Sequence, residues 1–230
     1  MASTDYRGWN ETLTNAESIL DFQENEVYVA LVLARKKHNP TIVQSTRLIS
    51  REVLTKENYV IKLRKLFCIL KHYRETDASD SIKGDDCNLY LTVNPRSTRK
   101  ALRNLKNYIT EYDYLNDMDS VMHLDSKWIS CLQRTTARSR KRFYIIDVDT
   151  EDETVTNTVY SVIGAVLLTE HKFDMVDDVT MTFDTRSGYH IVVPPFDVKL
   201  FWETLPLEMH SVVEVKTDDC VLLRAGNWID

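Results

Sequence analysis

Short apolar runs alternate with longer amphipathic stretches through the first half of the chain. Continuous runs such as EVYVALVL are typical of buried strands, whereas apolar residues spaced three to four positions apart indicate helices. Pro95 interrupts this pattern, and Ser97 is suited to cap the helix that follows. The pattern therefore predicts alternating strands and helices in the first half of the chain. Its strands and helices are expected at 26–33, 56–74, 88–93 and 98–112.

The second half of the chain predicts the order β-α-β-β-α-β and one further strand. A strand that ends in IIDVD is followed by apolar residues at helical spacing, and the turn TRSG joins the next two strands. A short helix bent near Pro206 then precedes a last pair of strands, with Asp218 and Asp219 in the turn between them. This order is the ferredoxin-like, RRM-like plan, in which helices cover one face of an antiparallel sheet. The elements are expected at 142–149, 155–170, 179–184, 189–193, 198–209, 211–215 and 220–224.

Composition and charge narrow the class of protein. The chain is 43% apolar and 10% aromatic, which suits a folded core and argues against disorder. We expect neither a membrane span nor a signal peptide, because no apolar run is long enough and the N-terminus has no basic segment followed by an apolar one. The four cysteines lie far apart without a CxxC pair, which predicts reduced thiols and no zinc ribbon. A net charge of -6 argues against nucleic-acid binding over the whole surface, but it allows a local basic groove.

Two aspartates lie two residues apart on the predicted strand at 142–149. Asp147 and Asp149 therefore point to one face of the sheet, and Ile146 and Val148 point to the face where the helices pack. Neighbouring carboxylates repel each other unless a cation compensates them, and Mg²⁺ and Mn²⁺ prefer such oxygen ligands. On its own, a DxD pair is more typical of a strand that ends in an acidic loop.

A histidine follows the TRSG turn, on a strand whose alternate residues are apolar. If those apolar residues face the core, His190 lies on the open face of the sheet, where Asp147 and Asp149 are also expected. A single histidine is more often exposed or buried without function, but here the strand pattern predicts its face. The polar turn before it could bind phosphate. The turn residues concerned are Arg186, Ser187 and Gly188.

A third carboxylate lies in the segment VVEVKTDD. Glu214 stands between two valines on a predicted strand, so it points away from the core. Asp218 in the following turn competes with it, and either residue could complete a metal site. Arg224 could face a triphosphate or be an ordinary surface cation.

Taken together, the segments IIDVDT, TRSGYHIVVPP and VVEVKTDDCVLLRAGNW resemble motifs I, II and III of the archaeo-eukaryotic primase (prim-pol) superfamily. Those motifs are hydrophobic-DxD/E, SxH or SGxH, and hydrophobic-D. The resemblance extends from about residue 26 onward and is specific only in the C-terminal part. It implies a single domain over 1–230, in which an RRM-like catalytic module at 140–230 follows an N-terminal α/β module at 26–134. It also implies primer synthesis from NTP or dNTP, with Asp147 and Asp149 as ligands of two Mg²⁺ or Mn²⁺ ions and Ser187 and His190 as nucleotide-binding residues.

Two departures from the family pattern bear on the site. Motif III usually carries Asp where this chain has Glu214, so the third catalytic ligand is expected to be Glu214, with Asp218 as the substitute. The zinc-binding cysteine and histidine cluster of some members is absent from the sequence. The same resemblance implies that Arg186, Gly188 and Arg224 bind the nucleotide. It further implies a single-stranded DNA template, a separate replicative helicase, and a cytoplasmic or nucleoid-associated location, or a host-cell interior for a viral protein.

Basic residues cluster along one face of the predicted helix at 98–112 and in the segment RTTARSRKR. In a primase these residues would flank the template or the triphosphate. For any single residue, a solvated surface position is the commoner meaning. The candidates for nucleic-acid binding are Arg96, Arg99, Lys100, Arg103, Arg138 and Arg140.

Three other functions compete with a primase. The DVDT segment resembles the nucleophile motif of HAD-type phosphatases, but Glu151 replaces the Thr or Val of that motif, and that family uses a parallel sheet. A non-catalytic RRM-like subunit that binds single strands would carry aromatic residues on its open face, where acids and a histidine are expected here. A degenerate primase subunit would not be expected to retain all three motifs.

Overall fold

The computed structural model describes residues 6–40, 42, 44–73, 82–113, 123–169 and 181–226, which form two antiparallel sheets with helices packed on them. In the first sheet the strand order is β2-β1-β3-β9, and the two-residue strand β4 also pairs with β1. These strands are β1 (Glu26–Arg35), β2 (Thr46–Leu54), β3 (Cys87–Thr92), β4 (Arg96–Ser97) and β9 (Cys220–Ala225).

The second sheet has the strand order β6-β7-β5-β8, and all of its pairings are antiparallel. One helix connects β5 to β6, and a shorter helix follows β7. The elements are β5 (Tyr144–Val148), α5 (Glu153–Thr169), β6 (Met181–Asp184), β7 (Tyr189–Val193), α6 (Val198–Thr204) and β8 (Val213–Lys216). The α+β class and the antiparallel sheet are therefore confirmed. Residues 170 and 179–180 of the predicted elements lie outside the described residues.

Among the described residues, the helices that accompany the first sheet are α1 (Tyr6–Ile19), α2 (Tyr59–His72), α3 (Thr98–Asp113) and α4 (Leu124–Gln133). One face of this sheet packs on α1 and α2, where Leu63 and Leu66 of α2 are fully buried. The other face packs on α3 and α4. Because both faces are covered, the central strands β1 and β3 are buried along almost their whole length, as the continuous apolar runs in the sequence indicate.

The second sheet is covered differently on its two faces. Ile146 and Val148 of β5 belong to the core beneath α5 and α6. On the opposite face, Ile145 and Val192 pack into the core of the first sheet. The first sheet therefore covers only one end of that face, and the end that carries Asp147 borders a cavity.

The last two strands do not form the predicted hairpin. Val213–Lys216 pairs with β5, whereas Cys220–Ala225 pairs with β3, so the chain crosses from one sheet to the other at 217–219. The physical reason lies in the sequence CVLLRA, which is buried over most of its length. Such a strand needs cover on both faces, and the first sheet provides it.

Asn94 joins the two parts of the molecule at the point where β5 begins. Its side chain is fully buried, and its carbonyl accepts hydrogen bonds from the backbone N–H groups of Arg142 (2.7 Å) and Phe143 (3.0 Å). Its amide donates to the carbonyl of Phe143 at 2.9 Å. These bonds fix the start of β5 against the first sheet, and they thereby position the acidic end of the strand.

Candidate active site

Asp147 lies at the centre of the candidate site. Its cross-strand neighbours are His190 on β7 and Glu214 on β8. Residues directly opposite each other on paired strands point to the same face, so these three side chains lie together on the face turned away from α5 and α6. This is the arrangement that the alternation of apolar residues predicted for Asp147 and His190. We refer to Asp147, Asp149 and Glu214 as the acidic cluster.

Lys216 is a member of the site that the sequence analysis missed. It follows Glu214 by two residues on β8, so it shares the face of the acidic cluster. Its ammonium nitrogen lies 2.6 Å from Oδ2 of Asp147 and 3.4 Å from Oε2 of Glu214. The sequence signal that could have identified it is the spacing of two residues from Glu214 on a predicted strand, which places both side chains on one face.

The charges around Asp147 keep it ionised. Burial alone would raise the pKa of Asp147, but hydrogen bonds from His190 and Lys216 and the positive charge of Lys216 hold it far below its ordinary value. Burial alone would likewise lower the pKa of Lys216, whereas its hydrogen bond to Asp147 and the nearby acids raise it. The pair is therefore a carboxylate and an ammonium over the whole neutral range.

His190 connects the two sheets. Its Nδ1 accepts a hydrogen bond from the backbone N–H of Leu222 on β9 at 3.2 Å, and its Nε2 lies 3.4 Å from Oδ1 of Asp147. A ring nitrogen that accepts a hydrogen bond carries no proton, so this network assigns the Nε2–H tautomer. The imidazole therefore presents its hydrogen-bond donor toward Asp147.

The turn before β7 is held against the end of β5. Gly188 has φ 152°, and a Cβ at this position would overlap the carbonyl oxygen of Val148. Only glycine allows this approach, which brings the Ser187 hydroxyl within 3.3 Å of Oδ1 of Asp149. Asp149 is exposed, and its backbone N–H donates to the carbonyl of Val212 at 2.8 Å. The glycine of motif II therefore places the turn beside the second aspartate.

Cations from the first sheet meet this turn. Arg186 donates to the side-chain carbonyl of Asn88 at 3.3 Å and to the backbone carbonyl of Asp85. The ring of His38 lies near it, and burial together with Arg186, Lys37 and Arg35 lowers the pKa of His38 to about 4. The sequence analysis missed this group, although the run ARKKH directly after an apolar strand marked it. A small cavity is lined by Arg35, Lys37, His38, Arg186, Asp147 and Asp149, among other residues.

A larger cavity of about 290 Å³ lies between the sheets. Asp147, His190 and Lys216 line it from the second sheet. The first sheet contributes mainly apolar and uncharged side chains, among them Leu31, Leu33, Tyr90 and Thr92. Asp147, His190 and Lys216 are therefore accessible to a molecule that enters between the two sheets.

The structure distinguishes the two candidates for the third carboxylate. Glu214 is 68% exposed and belongs to the acidic cluster. Asp218 is 4% exposed in its side chain and forms an ion pair of 2.7 Å with Arg96, which is 3% exposed. Asp218 also accepts from the side-chain amide of Asn94 at 3.4 Å. Its carboxylate is thus committed to the junction of the sheets, and Glu214 is the third acid on the open face.

Several basic candidates lie elsewhere than the sequence analysis placed them. Arg224 packs against Gly8 of α1 and pairs with Glu11 at 2.5 Å, so it lines neither cavity. Arg96 lies in β4 and not on the helix face, because its buried pairing with Asp218 holds it inside. Arg140 is 2.8 Å from Asp21 and 3.1 Å from Glu26, which neutralise its charge.

The remaining basic candidates are closer to the surface. Arg138 is 26% exposed and donates to the carbonyl of Thr217 at 3.2 Å. Arg99, Lys100 and Arg103 are exposed on α3, and the ammonium of Lys100 donates to the carbonyl of Arg138 at 2.8 Å. Of the predicted nucleic-acid-binding residues, Arg99, Lys100 and Arg103 on α3 are therefore the exposed ones, and the partly buried Arg138 lies beside them.

Within the described residues, no three His, Cys, Asp or Glu side chains are placed to hold a metal ion together. Asp147 and Glu214 nevertheless hold a cation between them, the ammonium of Lys216. Asp147 and Asp149 also line the same small cavity. Carboxylate oxygens are the ligands that Mg²⁺ and Mn²⁺ prefer, so the acidic cluster fits a hard divalent ion in its chemistry.

No protein-family model, curated protein or solved structure matches this chain. None of the helices in the described ranges is long and apolar enough to cross a membrane. The chemistry of the site is therefore inferred from its own residues and their geometry.

Proposed function

We propose that this chain is a template-dependent nucleotidyltransferase, a DNA primase or primase-polymerase of the archaeo-eukaryotic type. One observation carries the proposal: Asp147, Asp149, His190 and Glu214 converge on one open face from three neighbouring strands. These are the residues of the three segments that resemble the primase motifs. The β-α-β-β-α-β connection and the order β6-β7-β5-β8 support an RRM-like catalytic sheet.

The reaction would be the in-line attack of a primer 3′ hydroxyl on the α-phosphate of a nucleotide, with release of pyrophosphate. The acidic cluster would hold Mg²⁺ or Mn²⁺, and such ions stabilise the attacking and leaving oxygens of this reaction. His190 would donate its Nε2–H to a phosphate oxygen, and the Ser187 hydroxyl lies beside it on the turn. The protein would thus contribute position and charge, without a covalent nucleophile.

The surroundings of the site suit a nucleoside triphosphate. The cations Arg35, Lys37 and Arg186 line the small cavity beside Asp149, where they would balance a triphosphate. The cavity of about 290 Å³ is near the lower end of the range for small-molecule sites, and its apolar wall suits a base and a sugar. Arg99, Lys100 and Arg103 on α3 would contact the phosphates of a single-stranded DNA template.

A HAD-type phosphatase does not fit this geometry. That family requires a parallel sheet around its nucleophile, whereas β5 pairs antiparallel with both of its neighbours. The DVDT segment is therefore better explained as the metal-binding motif of a primase.

Primer synthesis on single-stranded DNA with Mg²⁺ or Mn²⁺ and labelled NTPs and dNTPs tests the proposal. We expect incorporation by the wild type and a loss of more than about 100-fold in Asp147→Asn, because the ions would lose their central ligand. Glu203→Gln is the matched control, since Glu203 is 60% exposed on α6 and distant in the fold from the acidic cluster. No incorporation by the wild type with either ion, or full activity in Asp147→Asn, would reject the proposal.

The same assay identifies the third ligand. Glu214→Ala is expected to lose nearly all activity with the fold intact, and Glu214→Asp to keep part of it. Asp218→Asn is expected to act mainly on stability, because it removes the partner of a buried arginine. Unfolding in urea separates the two effects. Activity in Glu214→Ala together with an inactive but stable Asp218→Asn would reverse the assignment.

A further inference from the structure

In the candidate site, the ammonium of Lys216 lies where a metal ion bound to Asp147 and Glu214 would lie. Its ammonium lies 2.6 Å from Oδ2 of Asp147 and 3.4 Å from Oε2 of Glu214. The side chain is 25% exposed, and it lines the cavity of about 290 Å³ between the sheets. Lys216 therefore contacts one acid on each of the paired strands β5 and β8, and it also lines the cavity beside them.

An ammonium and a divalent ion compete for these oxygens. Asp147 is only 12% exposed in its side chain, so water screens its charge interactions weakly. A divalent ion bound to Asp147 and Glu214 would lie within a few ångströms of the ammonium, and the two cations would repel each other strongly. Binding of the ion therefore requires the ammonium to leave Asp147.

We propose that Lys216 is a built-in counter-ion that competes with the divalent ion for Asp147 and so raises the metal concentration that the enzyme needs. The inference rests on the proposed function, because it assigns the metal to the acidic cluster. In the metal-free protein the ammonium offsets the repulsion between Asp147 and Glu214 and keeps the site assembled. When the ion binds, the flexible lysine side chain moves the ammonium away from Asp147 within the adjoining cavity. Asp147 lines both cavities, so the ammonium stays within reach of the first phosphates of a nucleotide whose triphosphate extends into the small cavity.

This arrangement couples the metal to the nucleotide. An ammonium that leaves Asp147 loses its partner, and the phosphate of a bound nucleotide that lies nearest Asp147 replaces that partner. Nucleotide binding therefore lowers the cost of displacing Lys216, and metal and nucleotide bind with positive cooperativity. In the absence of a nucleotide, the metal ion therefore binds the acidic cluster more weakly than it would if Lys216 were not there.

Direct titration with Mn²⁺ alone, followed by the electron paramagnetic resonance signal of the free ion, tests the inference without any activity. We expect Lys216→Met to bind Mn²⁺ about tenfold more tightly than the wild type, because a unit charge near the ion is removed while the length of the side chain is kept. Lys199→Met is the control, since Lys199 is 83% exposed on α6 and pairs only with Glu203 within the described residues. We expect no change in its Mn²⁺ affinity.

A second variant keeps the test decisive if Lys216→Met fails to fold. Lys216→Gln retains a hydrogen-bond donor toward Asp147 without the charge, and it is expected to tighten Mn²⁺ binding in the same direction. Unchanged or weaker Mn²⁺ binding in the folded variants would overturn the inference. Tighter binding combined with no primer synthesis by the wild type would reject the proposed function and leave the competition for Asp147 standing.

Discussion

At the scale of single residues, His190 has two roles that the structure separates onto its two ring nitrogens. Nδ1 accepts from Leu222 of the first sheet, and Nε2 points to Asp147 of the second. The first contact joins the two sheets, and the second would belong to the chemistry of the site under the proposed function. The sequence analysis predicted the face of His190 from the alternation of β7, but not its contact with β9, because that contact depends on how the sheets are joined.

Two substitutions distinguish these roles. His190→Ala is expected to lower kcat/KM for the nucleotide about 10- to 100-fold, because a hydrogen bond to a charged group is lost. It should also reduce the free energy of unfolding by about 1–3 kcal/mol, since the buried N–H of Leu222 loses its acceptor. His190→Asn places a carbonyl near the position of Nδ1, so it should recover stability without recovering kcat/KM. Equal stability of the three proteins in urea would contradict the role assigned to Nδ1.

At the scale of elements, the turn at 185–188 positions motif II because it packs on the end of β5. The carbonyl of Gly188 accepts from the N–H of Thr185 at 2.8 Å, which closes the turn. The positive φ of Gly188 and its contact with Val148 then set the distance between the turn and the two aspartates. This turn is therefore a structural requirement of the site as well as a source of polar groups.

Alanine at two glycines is expected to act in opposite directions. Gly188→Ala should lower the free energy of unfolding by at least about 2 kcal/mol, because an alanine is strained at this φ and its Cβ overlaps Val148. Gly164→Ala should raise it by about 0.5–1 kcal/mol, since Gly164 lies within α5 and a Cβ there meets nothing within 4 Å. Urea unfolding of both variants measures the difference. A neutral Gly188→Ala would show that the turn does not need glycine.

Most of the helices and strands around the site could be predicted from the sequence, but the way in which they assemble could not. The helices at 59–72 and 98–113 and the strands of the second sheet follow from apolar periodicity, which depends on local burial. The edge strand β2, with only Leu54 buried, carries no such pattern. The prediction that β9 forms a hairpin with β8 was wrong. Which sheet a strand joins depends on which apolar surfaces must be covered, and this cannot be read from the strand's own sequence. Lys216 was missed because an ion pair across strands depends on their register.

At the scale of the whole molecule, ion pairs and hydrogen bonds join the N-terminal segment to the second sheet. Arg140 contacts both Glu26 at the start of β1 and Asp21 before it. Burial alone would raise the pKa of Glu26, but hydrogen bonds from Arg140, Ser139 and the backbone of Gln23 lower it below its ordinary value. Arg140 is therefore a structural link between the modules, and its charge is largely satisfied within the protein.

The stability that Arg140 provides should depend on pH. Because the folded pKa of Glu26 lies below its unfolded value, the stabilisation is present above the unfolded pKa and is lost as the pH falls through the folded one. Arg140→Met is expected to cost about 2 kcal/mol at pH 7, and the difference from the wild type should shrink below about pH 4. Arg99→Met is the control, since its pair with Glu24 is exposed at 3.8 Å and should contribute nothing measurable. A difference that stays constant down to pH 3 would show that Glu26 is not the partner that matters.

The pairing of β9 with β3 also determines when this protein can fold as it leaves the ribosome. Asn88 of β3 is paired with Ala225 of β9. The first sheet therefore cannot be completed until β9 has been synthesised, long after its other strands. Until then the edge of β3 and the apolar side chains that β9 covers stay exposed to chaperones and to other chains. A fragment that stops between the two modules would carry the same open edge permanently. The modules are thus distinct in architecture but share one folding event.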